Sequence, residues 1–280
     1  MPGTLIICAT PIGNLADAST RLAQALAGSD VIYCEDTRRS RILLDSLGVK
    51  KRLRSYFIGN EEEGASQLAA ELEADQTVAL LTDAGVPAIS DPGWSAVNAA
   101  RRAGARVTIV PGPSALTASL AVSGFSTERV VFEGFLPRRG RERQERLNEI
   151  AQETRTIVLF VGASHLSEDL EDLAKLEPDR PLCIARELTK KFEEILWLTC
   201  AEAVDVFGER KAKGEFTLVL SAVARGTPDI GSGIEAVLDA MARGQSMTAA
   251  VRVVAADLGL SRRKLYEVML AKTRDTTTER

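Results

Sequence analysis

The fold of this 280-residue chain is decided by residues 80–93, which read LLTDAGVPAISDPG. An apolar run ends in a carboxylate, and the glycines and prolines that follow it continue neither a helix nor a strand. The pattern predicts that Asp83 lies at the carboxyl end of a strand, beside a loop. In open α/β folds, ligands bind at such strand ends.

Two other apolar runs end in the same way. Residues 5–9 lead into the loop Thr10-Pro11-Ile12-Gly13-Asn14, and residues 107–110 lead into Pro111-Gly112-Pro113-Ser114-Ala115. One such motif is a weak signal, but three loops at the ends of parallel strands can converge on one pocket. The sequence therefore predicts a ligand site at this edge of the sheet.

Strand-like and helix-like segments alternate along most of the chain. Alternation of this kind is typical of βαβ units and a mostly parallel sheet, so we expect an α/β fold. The strands are predicted near residues 4–9, 30–35, 53–57, 77–82 and 106–110, and then near 129–134, 155–161, 181–187, 194–198 and 215–222. Helices are predicted over residues 142–152 and 166–176 in the second half.

Beyond a linker-like stretch at residues 224–233 the strand signal vanishes. Three short helices are predicted at 234–242, 248–258 and 262–270, with Ser246 or Thr248 capping the second and Ser261 the third. The junction at 257–265 resembles a helix–turn–helix, which contacts nucleic-acid phosphates; a small helical cap is the alternative. With a hinge at the Pro-Gly-Pro turn, we expect three domains, at residues 1–112, 113–226 and 227–280.

Composition narrows the class of protein. The chain is 45% hydrophobic and has a net charge of −4, so it is globular and not coated in basic residues. We expect no membrane span, no signal peptide and a cytoplasmic location, because the chain has neither a long apolar run nor a charged start. Its single histidine and unpaired cysteines predict no metal site. The cysteines, expected to be buried thiols, are Cys8, Cys34, Cys183 and Cys200.

Two segments are rich in lysine and arginine, although the chain as a whole carries a negative net charge. Residues 37–54 contain seven lysines and arginines and one acid, and residues 137–146 contain five arginines and two acids. Local basic patches on an acidic protein indicate a partner with phosphates, and solvated helix faces are the alternative reading.

Taken together, the three loops resemble those of the tetrapyrrole-methylase-like superfamily of S-adenosylmethionine-dependent methyltransferases. The starting TPIGNL and the order of four later motifs are similar to the branch that methylates the 2′-hydroxyl of a cytidine in 16S rRNA. Those motifs are Glu35-Asp36-Thr37-Arg38, Glu133-Gly134-Phe135, Arg186-Glu187-Leu188-Thr189-Lys190 and Lys213-Gly214-Glu215. The resemblance covers essentially the whole chain. It implies two α/β domains with the cofactor in the cleft between them, a small C-terminal helical domain, and a homodimer acting on 16S rRNA or the 30S subunit.

The resemblance also assigns the cofactor contacts. It sets S-adenosylmethionine against the 83–93 loop, although the family usually has threonine where this chain has Val86. No metal is needed, because the cofactor carries the hard chemistry. The implied cofactor contacts are Thr10, Pro11, Gly13, Asp83, Gly85, Val86, Ser114 and Ala115.

For the chemistry we single out Glu35, Asp36 and Arg38. A ribose hydroxyl is a very weak acid, so a nearby carboxylate helps its attack, and an arginine pairs with phosphate. The two acids are equally suited to cap the next helix, with Arg38 as an internal ion-pair partner. The predicted RNA contacts are Arg38, Arg39, Arg41, Arg138, Arg139, Arg186, Lys190, Arg262, Arg263 and Lys264.

The chain departs from the family pattern in two loops. Where the family reads aromatic-Glu-Ser-Pro-His-Arg, residues 160–165 read FVGASH, so Val161 replaces the acid. The family's histidine before Asn60-Glu61 is also missing, and Gly59 precedes that pair. Two other functions therefore stay open. One is a methylase acting on a tetrapyrrole carbon, against which the basic runs and the tail argue. The other is a catalytically silent RNA-binding protein.

Overall fold

The computed structural model describes residues 2–208, 212–223, 230–258 and 260–278. It divides the chain into two compact units, the first ending at Ala222 and the second beginning at Val223. The boundary predicted between residues 226 and 227 lies outside the described residues. The predicted division at 112–113 falls within the first unit and stays a prediction.

The first sheet of this unit is parallel throughout, as the alternating pattern predicted. Its strands lie in the order β3-β2-β4-β1-β5. Every neighbouring pair in that order runs parallel. The strands are β1 (Thr4–Cys8), β2 (Val31–Cys34), β3 (Leu53–Ser55), β4 (Thr77–Leu80) and β5 (Arg106–Val110).

Helices cover both faces of this sheet, which is why its central strands are almost wholly apolar. Successive side chains of β4 point to opposite faces. Val78 and Leu80 pack in one cluster with residues of α3 and α4. Ala79 and Leu81 pack in another with residues of α1 and α2. The helices around this sheet are α1 (Thr20–Gly28), α2 (Thr37–Ser46), α3 (Glu61–Glu73) and α4 (Trp94–Arg102), and the next helix, α5 (Ala115–Ser123), packs against the second sheet.

The second sheet is mixed. Its order is β6-β7-β10-β8-β9. Only β6 and β7 pair in parallel, and the other neighbours are antiparallel. The strands are β6 (Val130–Phe135), β7 (Thr156–Gly162), β8 (Pro181–Arg186), β9 (Glu194–Thr199) and β10 (Glu215–Leu220), and the helices are α6 (Arg141–Gln152), α7 (Leu166–Leu176) and α8 (Cys200–Phe207).

All ten strands lie within about two residues of the predicted positions. The four cysteines are buried free thiols, as expected. Burial raises the pKa of the Cys183 thiol to about 11, so this sulfur stays protonated and unreactive near neutral pH.

The second unit is helical. It consists of α9 (Ile230–Ala242), α10 (Met247–Asp257) and α11 (Arg262–Thr278), and its core includes Val237, Val251 and Leu265. Ser246 caps α10 as predicted, accepting from the Ala249 amide at 3.3 Å. Two predicted boundaries are wrong. The helix α9 begins within the stretch expected to be linker, and α11 continues eight residues past its predicted end at Leu270.

Candidate functional site

The strand order brings the predicted loops to one edge of the first sheet. β4 lies between β2 and β1, and β1 is followed by β5, so the carboxyl ends of all four strands are neighbours. Thr10 and Gly85 join two of the loops through a backbone bridge. The Thr10 amide donates to the Gly85 carbonyl at 2.8 Å, and the Gly85 amide donates to the Thr10 carbonyl at 3.2 Å. Gly85 has a φ of +83°, a conformation that favours glycine.

A cavity of about 310 Å³ lies between these loops and the end of the second sheet. Four of the predicted cofactor residues line it: Gly85, Val86, Ser114 and Ala115. Ile12, Phe160 and Phe216 contribute apolar surface, and the polar groups come from Ser90, Asp91, Glu215 and Thr217. The site is thus apolar with a few polar groups, as small-molecule sites generally are.

The other predicted cofactor residues support the loops without lining this cavity. Thr10 is buried, and its hydroxyl donates to the Thr82 carbonyl at 3.2 Å. Pro11 is buried beside it. At Gly13 a Cβ atom would overlap Cγ of Lys190, so only glycine leaves room for the lysine side chain.

Asp83 ties the 83–93 loop to the start of α2. Its carboxylate accepts from the Asp36 amide at 3.1 Å and lies 3.3 Å from Nη1 of Arg39. Burial raises the pKa of Asp83 above its ordinary value, and the bond from the Asp36 amide offsets part of that effect.

Asp36 and Arg38 form an ion pair with each other, as expected if Asp36 caps the helix and Arg38 is its internal partner. Asp36 is the N-cap of α2: its Oδ1 accepts from the Arg38 amide at 2.8 Å. Its Oδ2 accepts from Nη2 of Arg38 at 2.7 Å. These bonds lower the pKa of Asp36 to about 2, so its carboxylate is a weak proton acceptor. Glu35 points elsewhere and accepts from the Thr82 hydroxyl at 3.1 Å.

Asp91 is the site residue that motif reasoning missed. It lines the cavity, and its pKa is raised to about 6, chiefly by burial and in smaller part by the charges of Glu35 and Asp83, while a hydrogen bond with Thr82 offsets part of the rise. The available signal was the Asp-Pro-Gly that ends the quoted stretch, a second carboxylate in the same loop.

The backbone around Asp91 is strained. Ala88 and Ser90 have φ values of +70° and +59°, which non-glycine residues rarely adopt. Strain of this kind persists only where the surrounding structure holds it, and it clusters at ligand sites. The loop is therefore built to hold its side chains at this cavity.

The predicted RNA contacts fall into two groups. Most of those in the first unit already have partners. Arg39 lies near Asp83, Arg41 donates to the Lys51 carbonyl, Arg186 pairs with Glu194, and Lys190 lies 2.8 Å from both Glu187 and Glu215.

The second group is exposed. Arg138 and Arg139 are exposed and pair with no residue in the described ranges. Arg262, Arg263 and Lys264 are exposed at the start of α11, where Arg263 lies 3.6 Å from Glu267. Exposed cations without a strong internal partner are the ones that a phosphate recruits most readily.

In the described part of the chain, no helix combines the length and the apolar character that crossing a membrane requires. Within the same residues, no group of three or more His, Cys, Asp or Glu side chains is arranged to hold a metal ion.

Comparison with known sequences identifies the family. Residues 4–204 match the model of the tetrapyrrole (corrin/porphyrin) methylases. A ribosomal RNA small subunit methyltransferase I from Synechocystis is 40% identical over 275 residues, covering 96% of this chain and 98% of the relative. One from Mycobacterium tuberculosis is 39% identical, covering 98% and 97%. One from Thermotoga maritima is 43% identical and covers 98% of its own length but 78% of this chain, leaving about a fifth of this chain unmatched.

Solved structures share the fold at low sequence identity. A uroporphyrin-III C-methyltransferase from Thermus thermophilus, complexed with S-adenosylhomocysteine, is 20% identical with a TM-score of 0.58 and covers 80% of this chain and 99% of that chain. A diphthine synthase is 15% identical with a TM-score of 0.60, covering 78% and 89%. The predicted resemblance is thereby confirmed: the chain belongs to the tetrapyrrole (corrin/porphyrin) methylases and, among them, to the ribosomal RNA small subunit methyltransferase I family.

Proposed function

We propose that this protein transfers a methyl group from S-adenosylmethionine to the 2′-hydroxyl of a cytidine in 16S rRNA. The observation that carries the proposal is the cavity at the strand ends, formed by the motif loops of a chain from this family. The relatives' name supports small-subunit rRNA as the substrate, and the choice of a ribose hydroxyl rests on the resemblance of the motifs.

The residues of the cavity fit S-adenosylmethionine. The volume of about 310 Å³ suits a nucleoside-sized ligand, and Ile12, Phe160 and Phe216 provide apolar surface for an adenosine. Ser114, in the loop between β5 and α5, adds a hydroxyl. A positively charged sulfonium is favoured near carboxylates, which Asp91 supplies.

When bound, the cofactor supplies an electrophilic methyl group on a positively charged sulfur. The protein must then hold the acceptor hydroxyl in line and remove its proton. Asp91 is suited to accept this proton, because it lines the cavity and its pKa of about 6 leaves it ionised but basic near neutral pH. Asp36, with a pKa of about 2, is much less basic.

The three residues predicted to be catalytic keep narrower roles in this proposal. Glu35 accepts from Thr82, and its charge raises the pKa of Asp91. Asp36 caps α2 and Arg38 pairs with it, so together they hold the loop that follows β2. Because Arg38 is also largely exposed, a phosphate of the RNA can compete with Asp36 for its guanidinium.

For binding RNA, the exposed cations are the favoured contacts: Arg138 and Arg139 in the first unit and Arg262, Arg263 and Lys264 in the second. The fifth of this chain that the Thermotoga relative does not match is about the share of the second unit. We therefore assign the second unit an accessory role in holding RNA and not a role in methyl transfer.

We also infer a cytoplasmic homodimer, the state that the family resemblance implies. Exposed apolar side chains on two edge strands support it. Val107 and Ile109 are exposed on the edge strand β5, and Trp197 is exposed on β9, where its indole donates to the Ser123 carbonyl at the end of α5 at 2.9 Å. Exposed apolar edges of this kind generally mark interfaces. Sedimentation of the purified protein tests this state, and Ile109→Lys should shift it toward a monomer.

The decisive test of function has two parts. The first maps ribose methylation in 16S rRNA from cells with and without the protein. The second incubates the purified protein with labelled S-adenosylmethionine and 30S subunits from the cells that lack it. We expect one ribose-methylated cytidine to depend on the protein in both. If the protein binds cofactor and RNA but transfers no methyl, the silent RNA-binding alternative is correct.

A further inference from the structure

A second cavity, of about 250 Å³, adjoins the cofactor cavity. The two share one wall, formed by Phe135 at the end of β6 and by Phe160, Val161 and Gly162 at the end of β7. A molecule in the second cavity is therefore a direct neighbour of whatever occupies the first.

The shared wall is aromatic. Phe135 is 58% exposed, which is unusual for a phenylalanine that also packs against a second ring. Its ring centroid lies 5.7 Å from that of Phe160, with an angle of 62° between the rings. Exposed aromatic faces are what proteins use to stack an unpaired base of single-stranded RNA.

A second set of lining residues forms a polar wall. Arg138, Ser164 and His165 line it, and Arg138 pairs with no carboxylate in the described part of the chain. Two later arginines of the same run differ. Arg141 binds Glu145, and Arg146 binds Glu133. A free arginine at the mouth of a small cavity fits an anionic group such as a phosphate.

A buried ion pair holds this wall in place. Arg143 of α6 is 4% exposed and lies 2.8 Å from Asp169 of α7 and 2.8 Å from Asp172. Its Nη1 also donates to the Pro137 carbonyl at 3.0 Å, which fixes the loop that carries Arg138. Within the basic run at residues 137–146, Arg143 therefore has a structural role, and it positions the loop that carries Arg138.

We propose that the second cavity receives the target nucleotide of the RNA, with its base against Phe135 and a phosphate at Arg138. This inference rests on the proposed function and adds the place of the acceptor. The shared wall sets the nucleotide beside the methyl donor. The volume suits a single nucleoside, whereas a tetrapyrrole macrocycle is far larger, so the cavity also favours RNA over the tetrapyrrole alternative.

The test uses the full-length protein, S-adenosylmethionine and 30S subunits that lack the modification. Arg138→Ala should raise the KM for subunits at least about tenfold, since a charge-assisted contact is lost. The matched control is Arg129→Ala, an exposed arginine just before β6 that lines neither cavity, and we expect its KM within about twofold of the unaltered protein. Ser164→Trp, which fills the cavity from the polar side, should abolish methylation.

Calorimetry with S-adenosylmethionine distinguishes the two cavities. Both Arg138→Ala and Ser164→Trp should bind it within about twofold of the unaltered protein, because neither residue lines the first cavity. A tenfold loss of cofactor affinity in the folded Ser164→Trp variant would mean that the second cavity belongs to the cofactor, and the inference would be wrong.

A direct readout is photocross-linking of 16S rRNA that carries 5-iodocytidine at the modified position. We expect the link to map to Phe135 or His165. If the unaltered protein methylates subunits but the link maps to another surface, or if Arg138→Ala and Arg129→Ala behave alike, the second cavity does not hold the nucleotide. An unaltered protein that transfers no methyl at all contradicts the proposed function itself.

Discussion

The loops after β2 and β4 lie at the same edge of one sheet and carry carboxylates whose pKa values are shifted in opposite directions. Asp36, after β2, accepts a backbone bond and an arginine, which lower its pKa to about 2. Asp91, in the loop after β4, is partly buried with two other acids nearby, and its pKa rises to about 6. Position at a strand end therefore identifies the site, but the partners of each carboxylate decide its chemistry.

The largest effect is expected from replacing Asp91, the proposed base. Asp91→Asn keeps the size of the side chain and removes its basicity. We expect single-turnover methylation of 30S subunits to slow at least about a hundredfold, or ~2.7 kcal/mol of barrier. Glu35→Gln is the matched control, because it removes a neighbouring charge outside the cavity lining, and it should cost about tenfold. If the two variants lost activity equally, Asp91 would have no role that Glu35 lacks.

The pH dependence of the rate sharpens the same point. A base acts when deprotonated, so kcat/KM should be constant well above pH 6 and fall about tenfold per pH unit below it. The charged groups that set this pKa are Glu35 and Asp83, so Glu35→Gln should move the fall to lower pH. Bound sulfonium favours the carboxylate, so kcat should begin to fall at lower pH than kcat/KM. If kcat/KM of the Asp91→Asn variant fell with pH as it does in the unaltered protein, the fall would be due to another group.

Much of this arrangement could be predicted from residue patterns. The alternation of apolar runs with helix-like segments predicts the ten strands, and the three runs that end in Gly- and Pro-containing loops predict the shared edge, because both are local signals. The partners of Asp36 were available too, since a carboxylate one residue before a helix is a usual N-cap.

The place of Asp91 in the loop was visible in the sequence, but its basicity could not be predicted in this way. Its raised pKa depends on Glu35, which is 56 positions away in the sequence, and on burial in the folded loop. The difference between Arg138, which has no carboxylate partner among the described residues, and Arg143 could not be predicted either. Arg143 pairs with Asp169 and Asp172, which lie on another helix. Pairing between distant residues is set by the tertiary fold, and no local pattern in one sequence reports it.

Replacing Asp36 should change the stability of the protein more than the rate of methyl transfer. Asp36→Ala removes the N-cap of α2, which generally costs about 1 kcal/mol of the free energy of unfolding. Asp45→Ala, at an exposed position of the same helix, is the control and should leave stability almost unchanged. Urea denaturation followed by circular dichroism measures both. Folded Asp36→Ala should retain more activity than Asp91→Asn, and the reverse order would make Asp36 the base.

The smallest expected effect concerns His165, the chain's single histidine and by residue type the obvious rival to Asp91 as a base. It precedes α7 and lines the second cavity, and the cofactor cavity is lined by other residues. If proton transfer depends on the group beside the methyl donor, His165→Ala should change kcat by about twofold and keep the fall in rate near pH 6. It should weaken subunit binding modestly, because it removes part of the polar wall. Single-turnover rates across pH 5–8 measure this, and a folded but inactive His165→Ala variant would transfer the role of base from Asp91 to the imidazole.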